Sequence, residues 1–258
     1  MQTLAECLAF ARMNGRTISS RFYDPPIGDA EAYSLQTKVL NRLGSVSNAW
    51  KVGSTSPEAQ SKLGTSQPGA ARVPDRYRFQ SGDDVSVFEA HDLWIESEFA
   101  LRLGVGLPPR NKEYDRSEIM KAIDGVAPSL EVVGSRLMEG ITHGGRYWVT
   151  ADGGANVALI TGAIVEEWQK FDLPNQNIRL YKNCIEVASG LGRKALGDPI
   201  NVIVWLANHQ RFRDGLKRGE IISTGTCTGL VRIAPGDYLF GDFGAIGSVE
   251  INLVKAVT

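Results

Sequence analysis

The sequence predicts an α+β fold that is dominated by mixed β-sheet and preceded by a helical N-terminal segment. Two observations lead to this prediction. From Ala49 onwards, short apolar runs alternate with clusters of Gly, Pro, Asp and Asn, which is typical of strands joined by turns. Before that residue, two longer stretches have apolar side chains at helical spacing. With 258 residues, 43% of them hydrophobic, the chain is long enough to bury a large core.

The N-terminal segment, residues 1–45, is predicted to contain two helices. Thr3 and Glu6 have the spacing of a capping box at the start of a helix over about residues 4–13. Asp29 is the expected N-cap of the second helix, which has one apolar face and ends at a glycine. We expect this segment to pack on the main body of the protein or on a partner subunit.

Beyond the N-terminal segment, strands predominate. Ten segments have the composition of strands: 49–53, 85–89, 94–103, 127–135, 156–165, 178–188, 221–223, 231–233, 238–242 and 246–254. Two helices interrupt them. Ser117 is the expected cap of a short helix that ends near Ile123. The clearer helix has Asp198 as its N-cap and Pro199 in its first turn, and it runs to about Asp214.

The composition argues against several classes of function. The formal net charge is −1, without the basic excess that binding to nucleic acid requires. No apolar run approaches the roughly 18 residues of a membrane span, and the N-terminus lacks the pattern of a signal peptide. The three cysteines have no metal-ligand spacing and are typical of free thiols in a reducing compartment. We therefore expect a cytoplasmic protein that binds neither nucleic acid nor membranes.

The segment 94–103 places two carboxylates on one face of a predicted strand. Side chains alternate along a strand, so Glu96 and Glu98 project from the same face. The segment is strongly apolar, and two adjacent buried carboxylates repel each other unless a cation lies between them or one is protonated. Oxygen ligands of this kind suit Mg²⁺ or Mn²⁺. The alternative interpretation is a half-exposed strand whose carboxylates face water.

Three further stretches accompany this strand in the order and spacing of a known family. They are W-K-V-G-S-T-S at 50–56, L-G-T-S-Q-P at 63–68 and S-L-E-V-V-G-S-R at 129–136. Together the four motifs resemble the 2-keto-4-pentenoate hydratase and 4-oxalocrotonate decarboxylase family of the fumarylacetoacetate hydrolase superfamily. The resemblance extends from about Asp29 to the C-terminus. It implies the sandwich-like β roll of that superfamily, with residues 46–258 as the catalytic domain.

The resemblance also implies a metal site and a substrate class. The implied ligands of Mg²⁺ or Mn²⁺ are Glu96, Glu98 and Glu131, and the implied catalytic residue beside the substrate is Lys51. The implied activity is that of a metal-dependent hydro-lyase, in a homo-oligomer, acting on a small 2-hydroxydienoate or 2-oxo acid, as in meta-cleavage degradation of aromatics. Decarboxylation of a 2-oxo acid, C–C hydrolysis of an acylpyruvate and a catalytically silent relative remain alternatives.

Four other positions are candidate substrate contacts, namely Ser54, Asp152, Asn156 and Thr228. Thr228 lies in T-G-T-C-T-G, which resembles a family loop that can present N–H groups and a hydroxyl to a carboxylate; an ordinary turn is the alternative. Asp152 matches a family stretch A-D-N-A-S-S, in which Asn156 replaces a serine. Family members usually have leucine at the position of Ser54.

The largest departure from the family pattern is Gly69. The family reads Q-P-D-F-G, and its aspartate is implied to act in proton transfer, whereas this chain reads Q-P-G-A-A. Asp75, a few residues further along the chain, is the candidate to replace the missing carboxylate. The three histidines are isolated in the sequence and are predicted to be structural or exposed: His91, His143 and His209.

Overall fold

Two β-sheets form the body of the fold in the computed structural model, which describes residues 2–257 of the chain. The strands are β1 (Ala49–Gly53), β2 (Gly69–Arg72), β3 (Arg78–Gln80), β4 (Asp84–Val87), β5 (Trp94–Leu103), β6 (Ile123–Val133), β7 (Asn156–Thr161), β8 (Asn177–Lys182), β9 (Ile185–Leu191), β10 (Ile221–Ser223), β11 (Val231–Arg232), β12 (Tyr238–Asp242) and β13 (Ser248–Lys255). The α-helices are α1 (Leu4–Asn14), α2 (Gly28–Leu43), α3 (Pro57–Leu63), α4 (Arg116–Ala122), α5 (Gly145–Ala151) and α6 (Pro199–Gln210). The predicted α+β fold class is confirmed.

Both sheets mix parallel and antiparallel pairs. The larger one has eight strands in the order β2-β1-β10-β5-β6-β7-β3, with β11 pairing beside β10 along β5. The smaller one has five strands in the order β4-β13-β12-β8-β9. Within the larger sheet, β1 runs parallel to β10 and β3 runs parallel to β7, whereas β5, β6 and β7 are antiparallel neighbours. The two long strands β5 and β6 therefore form the centre of the larger sheet.

One face of β5 packs in the hydrophobic core between the two sheets. Ile95, Phe99 and Leu101 are fully buried there, and the ring of Phe99 meets that of Phe243 edge-on at 5.4 Å between centroids. Burial of this apolar face is the main stabilising contribution that the strand makes. Because side chains alternate, the even-numbered residues of β5 project from the opposite face of the sheet.

The strands agree with the sequence prediction most closely in the body of the larger sheet. In that sheet β1, β5 and β10 have the predicted bounds, and in the smaller sheet β12 has them. The single strand predicted over 178–188 is wrong, because Asn183 and Cys184 have positive φ values of 51° and 67° and form a hairpin turn. Strands β2 and β3, of four and three residues, were not predicted because such short runs have no clear period.

Two of the predicted helix caps are wrong. Helix α2 begins at Gly28 after Ile27, so Asp29 lies in the first turn, where it pairs with Arg146 at 2.8 Å. Helix α4 is capped by Asp115, which forms a capping box with Glu118. Aspartate two residues earlier is the better cap because glutamate stands at the third helical position, a pattern that Ser117 lacks. Neither α3 nor α5 was predicted.

Two other caps are confirmed. The Thr3 hydroxyl accepts a hydrogen bond from the Glu6 N–H, and the Glu6 carboxylate accepts one from the Thr3 N–H at 2.8 Å. Asp198 accepts from the Ile200 N–H at 2.8 Å at the start of α6. This helix ends at Gln210, four residues before its predicted end.

The two N-terminal helices pack on the same chain through α5. A separate hydrophobic cluster joins α1, α2 and α5, and consists of Ala5, Leu8, Ala9, Val39, Leu43, Leu137, Trp148 and Ala151. The division into segments 1–45 and 46–258 stays a prediction, and Met1 and Thr258, at the outer ends of the two segments, lie outside the described residues. None of the helices within residues 2–257 has the length and apolar character to cross a membrane.

Candidate active site

Three buried glutamates meet on the face of the larger sheet opposite the core. Glu96 lies directly across from Glu131 in the antiparallel register of β5 and β6, and Glu98 is two residues further along the same face. A carboxylate oxygen from each lies within 4.8 Å of one from each of the others. Glu98 and Glu131 are completely buried and Glu96 is 8% exposed. The structure therefore concentrates three carboxylates where water cannot solvate them.

Burial and mutual repulsion make this cluster hard to ionise. Burial and the neighbouring Glu131 carboxylate raise the pKa of Glu96 to about 7. Burial, Glu131 and Glu96 raise the pKa of Glu98 well above its usual value. A proton or a bound cation must relieve the repulsion near neutral pH.

The same oxygens fit a divalent cation. Within the part of the chain that the structure describes, Glu98 Oε1 is buried without a hydrogen-bond partner, and Glu131 Oε2 has no hydrogen bond but lies 3.3 Å from the Lys51 ammonium. A buried polar atom without a partner is costly, and a cation ligated by both oxygens would satisfy them. The set contains carboxylate oxygens and no sulfur or imidazole nitrogen, which suits Mg²⁺, Mn²⁺ or Ca²⁺ better than zinc. Glu96, Glu98 and Glu131 could therefore hold such an ion.

A glycine-containing loop after β10 orients Glu98. The Ser223 hydroxyl and the Gly225 N–H, at 3.0 Å, both donate to Glu98 Oε2. Gly225 has a φ of 86°, and a Cβ there would lie 2.0 Å from Thr55 Oγ1, so only glycine fits. This loop leaves Oε1 of Glu98 free to face the other carboxylates.

Thr228 belongs to the same loop and contacts the strand between the two β5 glutamates. Its Oγ1 accepts a hydrogen bond from the Ser97 N–H at 3.1 Å, and the Cys227 N–H donates to the Ser97 carbonyl at 2.8 Å. These bonds extend the pairing of β5 beyond β10 and fix the spacing of Glu96 and Glu98. Contact of Thr228 with a substrate stays a prediction.

Lys51 places an ammonium group against the carboxylate cluster. Its Nζ lies 3.3 Å from Glu131 Oε2 and donates to the Gly154 carbonyl at 2.8 Å. Burial lowers the pKa of Lys51, but the carboxylates of Glu131, Glu96 and Glu98 outweigh burial and raise it overall. Lys51 is therefore a buried cation at neutral pH, which neutralises part of the cluster.

The reach of Lys51 requires a curled sheet. Strand β1 is separated from β6 by β10 and β5, and three strand spacings would be roughly 14 Å in a flat sheet. Side chains project away from a sheet and not along it, so Lys51 and Glu131 would not meet across a flat sheet. The larger sheet therefore curls towards this face, which brings Lys51 to the glutamates.

Asn156 and Asp152 lie beside the cluster in a network of buried hydrogen bonds. Asn156 Nδ2 donates to Glu131 Oε1 at 2.8 Å, while its Oδ1 accepts from Arg12 at 2.9 Å. Asp152 pairs with the fully buried Arg136 at 2.7 Å. Both residues thus have strong partners within the protein, and direct contact with a substrate stays a prediction for each.

Ser54 follows β1 at the edge of the site. It has a φ of 56°, in the left-handed region, and its carbonyl accepts a hydrogen bond from Gln60 at 3.1 Å. This backbone conformation turns the chain away from β1 immediately after Lys51 and Gly53. Contact of the Ser54 hydroxyl with a substrate stays a prediction.

Gly69 faces the side of the sheet on which the Lys51 amine lies. It pairs with Gly53, and a Cβ on Gly53 would lie 3.2 Å from Lys51 Nζ. Residues paired across two strands project from the same face, so a side chain at position 69 would point the same way. A Cβ on Gly69 would meet Thr150 Oγ1 at 3.8 Å, an ordinary contact, so this position has room for a side chain.

The alternative carboxylate, Asp75, lies elsewhere. It accepts hydrogen bonds from the Asn48 N–H at 3.2 Å and from Arg78 at 3.1 Å. Asn48 precedes β1, and three extended residues, roughly 10 Å, separate it from Lys51. This position, beside the residue before β1 and away from Gly53 and Gly69 at its other end, argues against Asp75 as a replacement for the missing aspartate.

The three histidines lie outside the site, as predicted. His91 packs against the carbonyls of Ala11 and Arg16, and burial lowers its pKa to about 4. His209 stacks on Trp205 at 4.9 Å between ring centroids, and burial likewise lowers its pKa to about 4. His143 is exposed, with Nε2 2.9 Å from the Ser20 hydroxyl.

Sequence reasoning missed four residues that shape the site. Ser223 and Gly225 lie beside and within the T-G-T-C-T-G loop, and Arg136 ends the S-L-E-V-V-G-S-R motif. Their position at these motifs is the sequence signal that could have identified them. Arg12 is 144 residues from Asn156 in the chain, and nothing in the local sequence of α1 indicates this contact.

A buried carboxylate triad beside a buried lysine, on the curled face of a mixed sheet, is the site of a candidate metal-dependent enzyme. A family model, Fumarylacetoacetate (FAA) hydrolase C-terminal, matches residues 51–254. The chain therefore belongs to the fumarylacetoacetate hydrolase family. The resemblance expected from the four motifs is confirmed.

Individual relatives are similar along nearly the whole chain. The 2-keto-4-pentenoate hydratase of Paraburkholderia xenovorans (strain LB400) is 28% identical over 257 residues, which cover 95% of this chain and 92% of the relative. The structure of 4-oxalocrotonate decarboxylase from Pseudomonas putida G7, complexed with magnesium and adipate, has a TM-score of 0.88 and 26% identity, covering 97% of this chain and 96% of that one. Its complex with calcium and acetate has a TM-score of 0.87 and 27% identity over the same shares.

Proposed function

We propose that this protein is a divalent-metal-dependent hydro-lyase that hydrates a small 2-hydroxydienoate or its 2-oxo tautomer. The observation that most supports this proposal is the buried triad of Glu96, Glu98 and Glu131 with the Lys51 ammonium 3.3 Å from Glu131. Similarity over nearly the full length of a hydratase supports the reaction type. We propose Mg²⁺ or Mn²⁺ as the metal, because the ligand set is entirely carboxylate.

The charges around the triad favour an anionic ligand once a divalent cation is present. Ion pairs and hydrogen bonds link four buried carboxylates, those of Glu96, Glu98, Glu131 and Asp152, with three buried cations, those of Lys51, Arg12 and Arg136. Their formal sum is −1, and a divalent cation changes it to +1. A substrate with one carboxylate near the metal would then be attracted by the opposite charge of the site.

The proposed mechanism divides the work between a cation and the side chains around it. When bound, the cation supplies a Lewis acid for negative charge that develops on the 2-oxygen of the substrate. Glu96, Glu98 and Glu131 would hold this cation. Lys51 carries a proton at Nζ and donates hydrogen bonds towards the substrate carboxylate or its 2-oxygen, which stabilises the enolate formed when the dienol ketonises. Ketonisation removes the proton of the 2-hydroxyl group and adds one at C5, which leaves a C3–C4 double bond conjugated to the 2-oxo group. Water then adds across this bond, with its hydroxyl going to C4 and its proton to C3.

We propose different roles for the four predicted substrate contacts. Ser54 and Thr228 lie beside Lys51 and the β5 glutamates, and we propose them as substrate contacts at the rim. For Asp152 and Asn156, the hydrogen bonds to Arg136 and Glu131 support a role in holding the site. A homo-oligomer is also part of the proposal.

Decarboxylation of a 2-oxo acid is the second candidate function. The specific observation in its favour is the TM-score of 0.88 to a 4-oxalocrotonate decarboxylase over 97% of the chain. The same triad and lysine would stabilise the enolate that remains when carbon dioxide leaves, so the site residues have the same roles in both reactions.

The experiment that tests the proposal is a turnover screen of metal-free protein reloaded with Mg²⁺ or Mn²⁺. The substrates are 2-hydroxypenta-2,4-dienoate for hydration and 4-oxalocrotonate for decarboxylation, with products identified by NMR. We expect a 4-hydroxy-2-oxo acid from the dienoate, and loss of activity when EDTA removes the metal. Formation of carbon dioxide alone would favour the second candidate, and no product with either substrate would overturn both.

A further inference from the structure

We infer that Arg12, on the N-terminal helix α1, is a positioning residue that orients the metal ligand Glu131 through Asn156. The inference rests on the proposed metal site. Arg12 is only 6% exposed, and its Nη2 donates to Asn156 Oδ1 at 2.9 Å. Asn156, which is completely buried, donates from Nδ2 to Glu131 Oε1 at 2.8 Å. A continuous chain of two hydrogen bonds thus joins α1 to the carboxylate triad.

Arg12 determines which way the Asn156 amide points. A guanidinium has five N–H donors and no acceptor, so the amide oxygen must face Arg12. The amide nitrogen then faces Glu131 and donates to it. Rotating the amide by 180° would aim its nitrogen at the Arg12 donors and its oxygen at the Glu131 carboxylate, which are two repulsive contacts. Without Arg12, this constraint on the amide is lost.

Because the Asn156 amide is fixed, its Nδ2 holds Glu131 in the orientation that turns Oε2 towards the proposed metal site. Oε1 is occupied by Asn156, and Oε2 faces Lys51 at 3.3 Å and the other carboxylates. Residues that form hydrogen bonds to metal ligands orient those ligands, and loss of such a residue typically lowers metal affinity by about 10–100-fold. Asn156 stands where the family pattern has a serine. A serine hydroxyl would have to serve both partners through one oxygen atom, whereas the amide offers a separate acceptor to Arg12 and a separate donor to Glu131.

The surroundings of Arg12 are suited to holding the guanidinium still. It lies over the ring of Tyr77, 4.2 Å from the ring centroid. A Cβ on Gly153 would lie 3.2 Å from Arg12 Nη1, and Gly153 has a φ of 65°, so the backbone approaches as only glycine permits. Burying a cation is unfavourable unless its surroundings compensate. The nearby Asp152 carboxylate and the Tyr77 ring provide part of that compensation for Arg12.

The test is metal titration of metal-free protein by isothermal calorimetry, with Mn²⁺ as the probe. We expect Arg12→Met and Asn156→Ala each to weaken binding by about 10–100-fold. The double variant should be no weaker than Asn156→Ala alone, because Arg12 acts through that amide. Arg12→Lys, which keeps a charged donor, should recover part of the affinity. Arg16→Met, at an exposed arginine four residues further on, is the matched control and should bind as the wild type does.

Each outcome separates the inference from the proposed function. If wild-type protein binds no Mn²⁺, the proposed function fails. If wild-type protein binds Mn²⁺ and Arg12→Met binds within twofold of it, only the inference is overturned. The inference is equally overturned if Arg12→Met weakens binding as much in the Asn156→Ala background as in the wild type. Circular dichroism reports folding; if Arg12→Met does not fold, Arg12→Gln replaces it, and failure of both would show that Arg12 serves folding rather than the site.

Discussion

At the scale of single residues, the site is a balance of buried charges in which each group depends on its neighbours. The three glutamates repel one another, and Lys51 relieves part of that repulsion. The raised pKa of Lys51 excludes the simple picture of a neutral lysine base in the metal-free protein. The raised pKa favours Lys51 as an ammonium group that binds the substrate and that acts as an acid only if the reaction includes proton transfer from Nζ.

The role of Lys51 can be separated into binding and proton transfer. We expect Lys51→Ala to lower kcat by about 10²-fold or more if Nζ transfers a proton, because a positioned acid or base contributes roughly 10²–10⁴-fold. If Nζ only binds the carboxylate, KM should rise while kcat stays nearly constant. Steady-state kinetics on the dienoate distinguishes the two, and unchanged values of both constants would exclude either role.

Gly69 tests how far the family mechanism applies to this chain. The position faces the Lys51 side of the sheet, and a Cβ there meets only Thr150 at 3.8 Å. We therefore expect Gly69→Asp to fold and to raise the hydration rate on 2-hydroxypenta-2,4-dienoate, by up to the roughly 10²–10⁴-fold of a positioned carboxylate.

The matched control for that substitution is Asp75→Asn. Because Asp75 is engaged by Asn48 and Arg78 away from the triad, this variant should hydrate at the wild-type rate. A folded Gly69→Asp variant with no gain in rate would mean that another group already handles the proton. Efficient hydration that disappears in Asp75→Asn would mean that the geometric placement of Asp75 is wrong.

At the scale of elements, the loop after β10 is the part that the sequence left most ambiguous. An ordinary turn and a ligand-binding loop were both consistent with T-G-T-C-T-G. In the structure the loop runs along β5, and its Gly225 N–H donates to Glu98 together with the hydroxyl of Ser223, the last residue of β10. Its function in the fold is therefore to hold a proposed metal ligand.

A pair of glycines in this loop allows a controlled test. Gly225 and Gly229 have similar φ values, 86° and 89°, so alanine at either should cost roughly 1–3 kcal/mol of stability through backbone strain. A Cβ at Gly225 would also lie 2.0 Å from Thr55 Oγ1, whereas at Gly229 it would meet the flexible end of Lys194 at 3.4 Å. We expect Gly225→Ala, and not Gly229→Ala, to weaken Mn²⁺ binding in a calorimetric titration. Equal effects would show that the loop does not orient Glu98.

The strands and helices also show which parts of the site can be predicted from the sequence. The same-face placement of Glu96 and Glu98 follows from the period of a strand, and the structure agrees. The pairing of Glu96 with Glu131 depends on the register between two strands, which no local pattern specifies, and it was available only through the family resemblance. The contact of Arg12 with Asn156 depends on tertiary packing of α1, and neither source predicted it.

At the scale of the whole molecule, the buried triad links stability to pH and to metal. The pKa of Glu96 is raised from 4.5 to about 7 in the folded, metal-free protein, so within this window the folded state holds a proton that the unfolded chain has lost. The contribution of this group to the free energy of unfolding therefore falls as pH rises from about 4.5 through 7. Bound metal replaces the proton, so the stabilisation by metal should grow across the same window.

Thermal unfolding measured between pH 5 and 8, with and without Mn²⁺, checks this linkage. We expect the increase in Tm on adding metal to be larger at pH 8 than at pH 5, and calorimetric titrations to show proton release on binding. Metal-free Glu96→Gln is the control, because it removes the titrating carboxylate and should flatten the fall in Tm between pH 5 and 8. An increase in Tm that is the same at every pH would contradict the raised pKa of Glu96.

The measurement that tests the central claim most directly is a comparison of Mg²⁺ and Mn²⁺ binding by wild-type protein and by Glu98→Gln. The substitution keeps the volume of the side chain and removes one of the repelling charges. We predict one bound divalent ion per chain in the wild type, loss of that binding in the variant, and metal-free stability at least equal to that of the wild type. Absence of binding by the wild type, or unchanged binding by Glu98→Gln, would contradict the assignment of the triad as a metal site.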